Sequence, residues 1–200
     1  MDMEKSPVKQ VQKIVWMVLA MVVLAEAHSG QGLAGGFTSG FLHPISGLDH
    51  VVAMVSVGLW GAFLGAPAIW LLPVVFPLVM AFGGVLGVAG VPLPGVEIGI
   101  ALSAIVLGIM VAAAAKPPIW IAAVLVGIFA IFHGHAHGTE LPNAANPLAY
   151  SLGFVVATGL LHLSGIAFGL LDRFPSGKIA IRVLGGVVSL IGLGFLTHVL

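Results

Sequence analysis

The sequence predicts an all-α, polytopic membrane protein, in which a bundle of six transmembrane helices follows an N-terminal signal segment. Of the 200 residues, 60% are hydrophobic and only 7% are charged, and the mean hydropathy is +1.18. Soluble domains carry about 25% charged residues, so lipid must be the solvent for most of this chain. Pro- and Gly-rich breaks then divide the chain into apolar stretches of membrane-spanning length.

Each predicted span is close to the roughly 20 residues that cross the hydrocarbon core of a bilayer. The six spans cover residues 45–65, 67–90, 96–115, 117–134, 147–171 and 178–199. The stretch 29–42 is Gly-rich and only moderately apolar, and it is predicted to be a short helix or a re-entrant piece that caps the bundle.

The N-terminus has the pattern of a secretory signal. Three lysines precede an apolar run over residues 14–25, and Ala25 and Ala27 occupy the small-residue positions of a signal-peptidase site. We expect residues 1–27 to be removed and residues 28–200 to form the six-helix transmembrane domain; an uncleaved signal anchor is the alternative. Cleavage would make His28 the first mature residue, and its amine and ring could then chelate a metal together.

The positive charges predict the orientation of the bundle. With the mature N-terminus outside, the cationic residues that follow the signal fall in loops on the cytoplasmic side, as the positive-inside rule requires. These residues are Lys116, Arg173, Lys178 and Arg182. We therefore predict a multi-pass protein of the bacterial inner membrane with a periplasmic N-terminus. The net charge is zero, so no nucleic-acid partner is indicated; the oligomeric state stays open.

A first polar cluster, HPISGLDH, lies at the outer start of the first predicted span. Pro44 is expected to begin the helix, which would leave His43 just outside it. His50 and Met54 are four residues apart and share a helix face, whereas Asp49 lies about 100° around the helix. These side chains are candidate metal ligands, with Met54 a weaker candidate; a structural Asp49–His50 hydrogen bond is the alternative.

A second polar cluster, FHGHAHGTE over residues 132–140, lies at the outer end of the fourth predicted span. His133 and His137 are four residues apart, the spacing that lets two imidazoles on one helix face chelate one ion. Glu140 continues that face, whereas His135 points elsewhere and is an entrance ligand or a loop residue. The alternative is a solvated His-rich loop that only gathers metal ions.

The chemistry of these groups indicates a divalent transition metal. Cysteine is absent, so thiolate sites are excluded. Imidazole and carboxylate, with thioether as an option, suit Ni²⁺, Co²⁺ or Zn²⁺. His162, deep in the fifth predicted span, is either an inner ligand or a hydrogen-bonded core histidine. Ionisable groups in a bilayer are costly and usually functional.

At these two motifs the sequence resembles the HupE/UreJ family of nickel/cobalt permeases. The resemblance covers essentially the whole chain and implies secondary transport of Ni²⁺ or Co²⁺ into the cytoplasm. The family ligands map onto six residues of this sequence: His43, Asp49, His50, His133, His137 and Glu140. The metal is then the transported substrate, and no catalytic cofactor and no enzymatic activity are expected.

Two other functions fit the same residues less well. An intramembrane zinc hydrolase would use three histidines and Asp49 as ligands and Glu140 as general base, but the sequence has no HExxH motif. A haem protein would need two facing histidines in the middle of the membrane, whereas these cluster at one surface. No P-loop is present either, so the membrane potential or an ion gradient is the expected driving force.

Overall fold

The computed structural model describes residues 33–140 and 146–197, and in these ranges it contains seven α-helices and no strand. Their bounds are α1 Leu33–Ser46, α2 Leu48–Leu64, α3 Ala68–Val88, α4 Val96–Ala112, α5 Ile119–Glu140, α6 Pro147–Gly169 and α7 Pro175–Leu196. A short 3₁₀ turn, Leu170–Arg173, joins the last two. The predicted all-helical fold is confirmed. The predicted signal segment, including His28, lies outside the described residues.

The described helices have the length and surface of membrane spans. Helices α3, α5, α6 and α7 are each long and apolar enough to cross a bilayer, and the bent pair α1–α2 would supply a fifth span. Helix α4 has 17 residues, which is roughly 25 Å of helix. Large apolar side chains such as Leu78 and Trp120 are about two-thirds exposed on the bundle surface, where only lipid is a suitable solvent. The chain is therefore a multi-pass membrane protein, and the count of six spans stays a prediction.

The two helix boundaries at the histidine motifs differ from the prediction. The fourth predicted span ends at residue 134, but α5 runs on to Glu140, so the whole second motif is helical. Pro44 was expected to begin a helix; instead it lies inside α1, and a new helix begins at Leu48. Pro44 is buried there. Because proline has no backbone N–H, one hydrogen bond to the preceding turn of α1 is missing.

Close helix contacts are made where glycines face backbone. Helices α3 and α5 run parallel, and Gly134 and Gly138 of α5 lie against the Met80 and Gly84 carbonyls of α3. A β-carbon on Gly134 would overlap the Met80 carbonyl oxygen and come within 2.9 Å of the Gly84 nitrogen. Small residues at such positions allow the close approach that stabilises membrane helix pairs. This packing fixes the end of α5, which carries the second histidine motif.

The cationic end of the bundle is opposite the histidine motifs. Arg182 donates from Nε to the Ala112 carbonyl at the end of α4, at 2.8 Å, and the Lys116 ammonium lies 4.7 Å from the centre of the Phe63 ring. Trp60 donates to the Ala115 carbonyl at the same end, at 3.1 Å. The break between α1 and α2 and the ends of α3 and α5 lie at the other end of the bundle.

Candidate metal centre

A break between two helices positions the first motif. The axes of α1 and α2 differ by 80°, and Gly47 stands between them with φ −90° and ψ 112°. His43 lies in the last turn of α1, not outside the helix as predicted, and Asp49 and His50 lie in the first turn of α2. A β-carbon on Gly47 would sit 2.9 Å from both Asp49 Oδ1 and His50 Nδ1. Glycine at the break therefore leaves room for the paired side chains.

The last two turns of α5 carry the second motif into the bundle. His133 is fully buried and His137 is 7% exposed, so these side chains are not part of a solvated loop. His133 Nδ1 donates to the Phe129 carbonyl one turn earlier, at 3.0 Å. Along this part of the helix, Gly134 and Gly138 face α3, whereas His133 and His137 face the side chains beside the α1–α2 break.

The structure brings four histidines of the two motifs into contact, and we refer to His43, His50, His133 and His137 as the histidine cluster. The His43 and His137 ring centres are 4.9 Å apart. Those of His137 and His50 are 4.3 Å apart, and those of His50 and His133 are 5.3 Å apart. Side chains that are about 90 residues apart in sequence thus form one continuous line of imidazoles.

The carboxylates of the two motifs contact different histidines of this line. Glu140 Oε2 is 3.2 Å from His43 Nε2, which is itself 3.0 Å from His137 Nδ1. One donor atom from each of these three side chains falls within 4.8 Å of the other two, close enough to share an ion. Asp49 Oδ1 accepts a hydrogen bond from His50 Nδ1, at 2.9 Å.

Hydrogen bonds determine which ring nitrogen of each histidine is free. His50 Nδ1 faces a carboxylate and His133 Nδ1 faces a carbonyl, so both carry the proton and Nε2 carries the lone pair. The Nε2 atoms of His50, His133 and His137 are buried and have no hydrogen-bond partner among the described residues. A buried polar atom without a partner is costly, and an imidazole oriented through its other nitrogen is typical of metal ligands.

The mouth of the cluster is exposed and the rest is buried. The exposed fraction of the side chain is 60% for Glu140, 32% for His43 and 12% for His50, whereas His137 is 7% exposed as a residue and His133 is fully buried. A dication that entered beside Glu140 and His43 would therefore move from an exposed position to a dry one. Asp49 is in the first turn of α2, where the helix dipole favours a negative charge.

Three further predicted candidates lie apart from the cluster. His135 is in helix α5 and not in a loop, and its Nε2 donates to the Val91 carbonyl at 2.7 Å. His162 is 2% exposed and donates from Nδ1 to the backbone carbonyl of Met54, at 2.8 Å. The Met54 side chain is fully buried in the hydrophobic core, and its role as a thioether ligand stays a prediction.

Sequence reasoning missed the aromatic side chains that surround the histidines. The Phe154 ring centre is 4.4 Å from that of His137, and the Phe76 ring centre is 5.6 Å from that of His133. Tyr150, one turn before Phe154, lies 5.9 Å from His43. A cavity of about 490 Å³ between α3, α5 and α6 reaches His137 and these two α6 rings. In the sequence, the only signal for Tyr150 and Phe154 is their i, i+4 spacing on α6, and that spacing is equally typical of core residues.

Comparison with known proteins identifies relatives over nearly the full length. The family model described as HupE / UreJ protein matches residues 16–195. The chain is 46% identical to Protein HupE of Rhizobium leguminosarum bv. viciae over 185 residues, which cover 92% of this chain and 97% of that protein. No solved structure matches. The resemblance seen in the two histidine motifs thus extends over most of the chain, and the chain belongs to the HupE/UreJ family.

Proposed function

We propose that this protein is a secondary transporter that moves a divalent transition metal, Ni²⁺ first and Co²⁺ second, across the bacterial inner membrane into the cytoplasm. The observation that carries the proposal is the line of four contacting imidazoles at one end of a membrane helix bundle. Membership of the HupE/UreJ family supports the same function. The ligands we propose are the histidine cluster with Asp49 and Glu140.

The charge distribution supports an orientation that is compatible with uptake. In the described part of the chain, every Lys and Arg lies at the end of the bundle opposite the histidine cluster. The positive-inside rule assigns that end to the cytoplasm, which leaves the cluster at the periplasmic end. The membrane potential, negative inside, would then draw a dication inwards.

The ligand set suits transport because it replaces water in steps. Glu140 and His43 are exposed enough to take a hydrated ion, and His137, His50 and His133 can exchange further waters for imidazole nitrogen as burial increases. Imidazole and carboxylate bind borderline dications such as Ni²⁺ and Co²⁺, and Zn²⁺ is a further candidate.

A zinc hydrolase has no support in this geometry. The proposed general base, Glu140, lies at the exposed mouth of the cluster with its carboxylate directed to His43. Glu140 is there grouped with His43 and His137 as a candidate ligand, so it is not held back as a free base beside a metal-bound water.

Proteoliposomes that contain the purified protein test the proposal. With an inside-negative potential we expect Ni²⁺ and Co²⁺ to accumulate in the lumen at rates well above those of protein-free vesicles. Zn²⁺ and Cu²⁺ supplied in parallel give the order of preference. Absence of accumulation for every metal, with correctly oriented and folded protein, would contradict transport.

Acidification is expected to weaken metal binding. Only the neutral imidazole binds a metal, so protons compete with the ion at each ligand. Below the ordinary histidine pKa of about 6.5, each competing histidine can lower the affinity by up to about tenfold per pH unit. We expect the apparent affinity for Ni²⁺, measured by equilibrium dialysis, to fall at least about tenfold between about pH 7.5 and about pH 4.5. An affinity that does not change over this range would contradict imidazole ligation.

A further inference from the structure

Two buried polar side chains lie in the apolar middle of α6, beyond the histidine cluster. Thr158 and His162 are one helical turn apart, so they share a face of α6. Thr158 is fully buried and His162 is 2% exposed. His162 is about 15 residues, or roughly 22 Å, from the start of the helix, which places it well inside the membrane.

Both side chains present a polar atom without a protein partner. His162 Nδ1 donates to the Met54 carbonyl, so this nitrogen carries the proton and Nε2 carries the lone pair. Nε2 is buried and has no hydrogen-bond partner among the described residues, and neither has Thr158 Oγ1. A histidine that only stabilised the core would need its Nδ1 bond but gain nothing from a buried free Nε2.

One aromatic ring separates His162 from the cluster. The Phe76 ring centre is 5.6 Å from that of His133 and 5.5 Å from that of His162, with edge-to-face geometry on both sides. The two imidazole centres are therefore at most about 11 Å apart. Phe76 itself is fully buried. Rotation of this one side chain is the smallest movement that would connect the two histidines.

The backbone around His162 is held in place by close helix packing. Helix α2 approaches α6 at Gly58, where a β-carbon would overlap the His162 carbonyl oxygen. The Met54 carbonyl that orients the imidazole is one turn earlier on the same helix, and the His50 side chain of the cluster is one turn before that. Helix α2 thus connects the cluster to His162 through a rigid element.

We propose that His162 and Thr158 form an inner binding site for the divalent metal in transit, which the ion reaches from His133 after it passes Phe76. This inference rests on the proposed transport function. The inner site offers one imidazole nitrogen and one hydroxyl, whereas the cluster offers four imidazoles and two carboxylates. An ion at His162 therefore keeps more of its water and binds more weakly, which favours release towards the cytoplasm.

Transport and binding are expected to separate in variants of the inner site. His162→Ala should lower the rate of Ni²⁺ uptake by proteoliposomes at least about tenfold, and the affinity of the cluster for Ni²⁺ should change less than about twofold. Thr158→Val should lower uptake by a smaller factor. Thr158→Ser, which keeps the hydroxyl group, should take up Ni²⁺ at close to the wild-type rate. Uptake by His162→Ala at the wild-type rate would overturn the inner site. Absence of uptake by the wild-type protein would instead contradict the proposed function.

Thiol accessibility tests the position of the inner site even if His162→Ala folds poorly. The natural chain has no cysteine, so His162→Cys carries a single thiol. We expect a small cationic methanethiosulfonate reagent to modify this thiol and Ni²⁺ to slow the reaction at least about fivefold. The matched control is Leu163→Cys, because Leu163 is 52% exposed on the lipid-facing surface and its thiol should stay unmodified. A thiol at position 162 that is unreactive, or reacts equally fast with and without Ni²⁺, would overturn the proposal.

Discussion

Replacement of His50 by alanine is expected to abolish metal uptake while the protein still folds and inserts. His50 is the central imidazole of the cluster, because its ring contacts both His137 and His133, at 4.3 and 5.3 Å. Its removal interrupts the line of ligands between the exposed mouth and the buried end. We expect Ni²⁺ accumulation at no more than about one-hundredth of the wild-type rate, measured in proteoliposomes at matched protein content. Asp49→Ala, which removes the hydrogen-bond acceptor of His50, should have the same direction of effect.

Two variants control for general damage to the bundle. His135→Gln removes a histidine outside the cluster but keeps a donor for the Val91 carbonyl, and we expect uptake within about twofold of wild type. Asp172→Ala removes a carboxylate at the opposite end of the bundle and controls for Asp49→Ala in the same way. Normal uptake by His50→Ala, or equal losses in His135→Gln and His50→Ala, would contradict the role of the cluster.

Substitution of Gly134 by alanine is expected to disrupt the contact between α3 and α5. The added β-carbon would overlap the Met80 carbonyl oxygen, which is backbone and has no flexible end that could move aside. Overpacking of this kind costs about 1–3 kcal/mol and here also displaces the turn that carries His133 and His137. We expect a clearly lower thermal unfolding temperature in detergent and at least about tenfold weaker Ni²⁺ binding.

Gly127→Ala is the matched control on the same helix. A β-carbon there would meet nothing nearer than a Val79 methyl at 3.9 Å, which is ordinary van der Waals contact. We expect this variant to unfold at or slightly above the wild-type temperature, because alanine favours the helix. If Gly134→Ala and Gly127→Ala had the same stability and Ni²⁺ affinity, the described α3–α5 packing would be wrong.

The sequence was sufficient to predict the helical membrane fold and the residues of the two motifs. Apolar stretches of spanning length and the low charge of the chain leave no other fold class. The i, i+4 spacing of His133 and His137 correctly placed both on one helix face. The length of α5 was predicted less well, because the fourth predicted span ends at residue 134 and the helix runs on to Glu140. In a membrane bundle, glycines also mark close helix contacts, and here they face α3.

The geometry between the motifs could not be predicted from the sequence. Proline often occupies the first position of a helix, so the helix break was expected at Pro44 and not at Gly47. The 80° change of direction brings His43 back over His50, and this depends on the packing of α1 against α6. The positions of Phe76 and Phe154 beside the histidines were likewise not predicted. A buried phenylalanine beside a metal path and one in an ordinary core have the same local sequence.

X-ray absorption spectroscopy of the Ni²⁺-loaded protein tests the central claim most directly, namely that imidazoles from both motifs hold one dication. We expect a first shell of nitrogen and oxygen at roughly 2.0–2.1 Å with the outer-shell scattering of at least two imidazoles. The imidazole signal should decrease in both His50→Ala and His137→Ala, since each removes a ligand from a different motif. A spectrum with no imidazole scattering would contradict the account. An imidazole signal that decreases in only one of the two variants would contradict it as well.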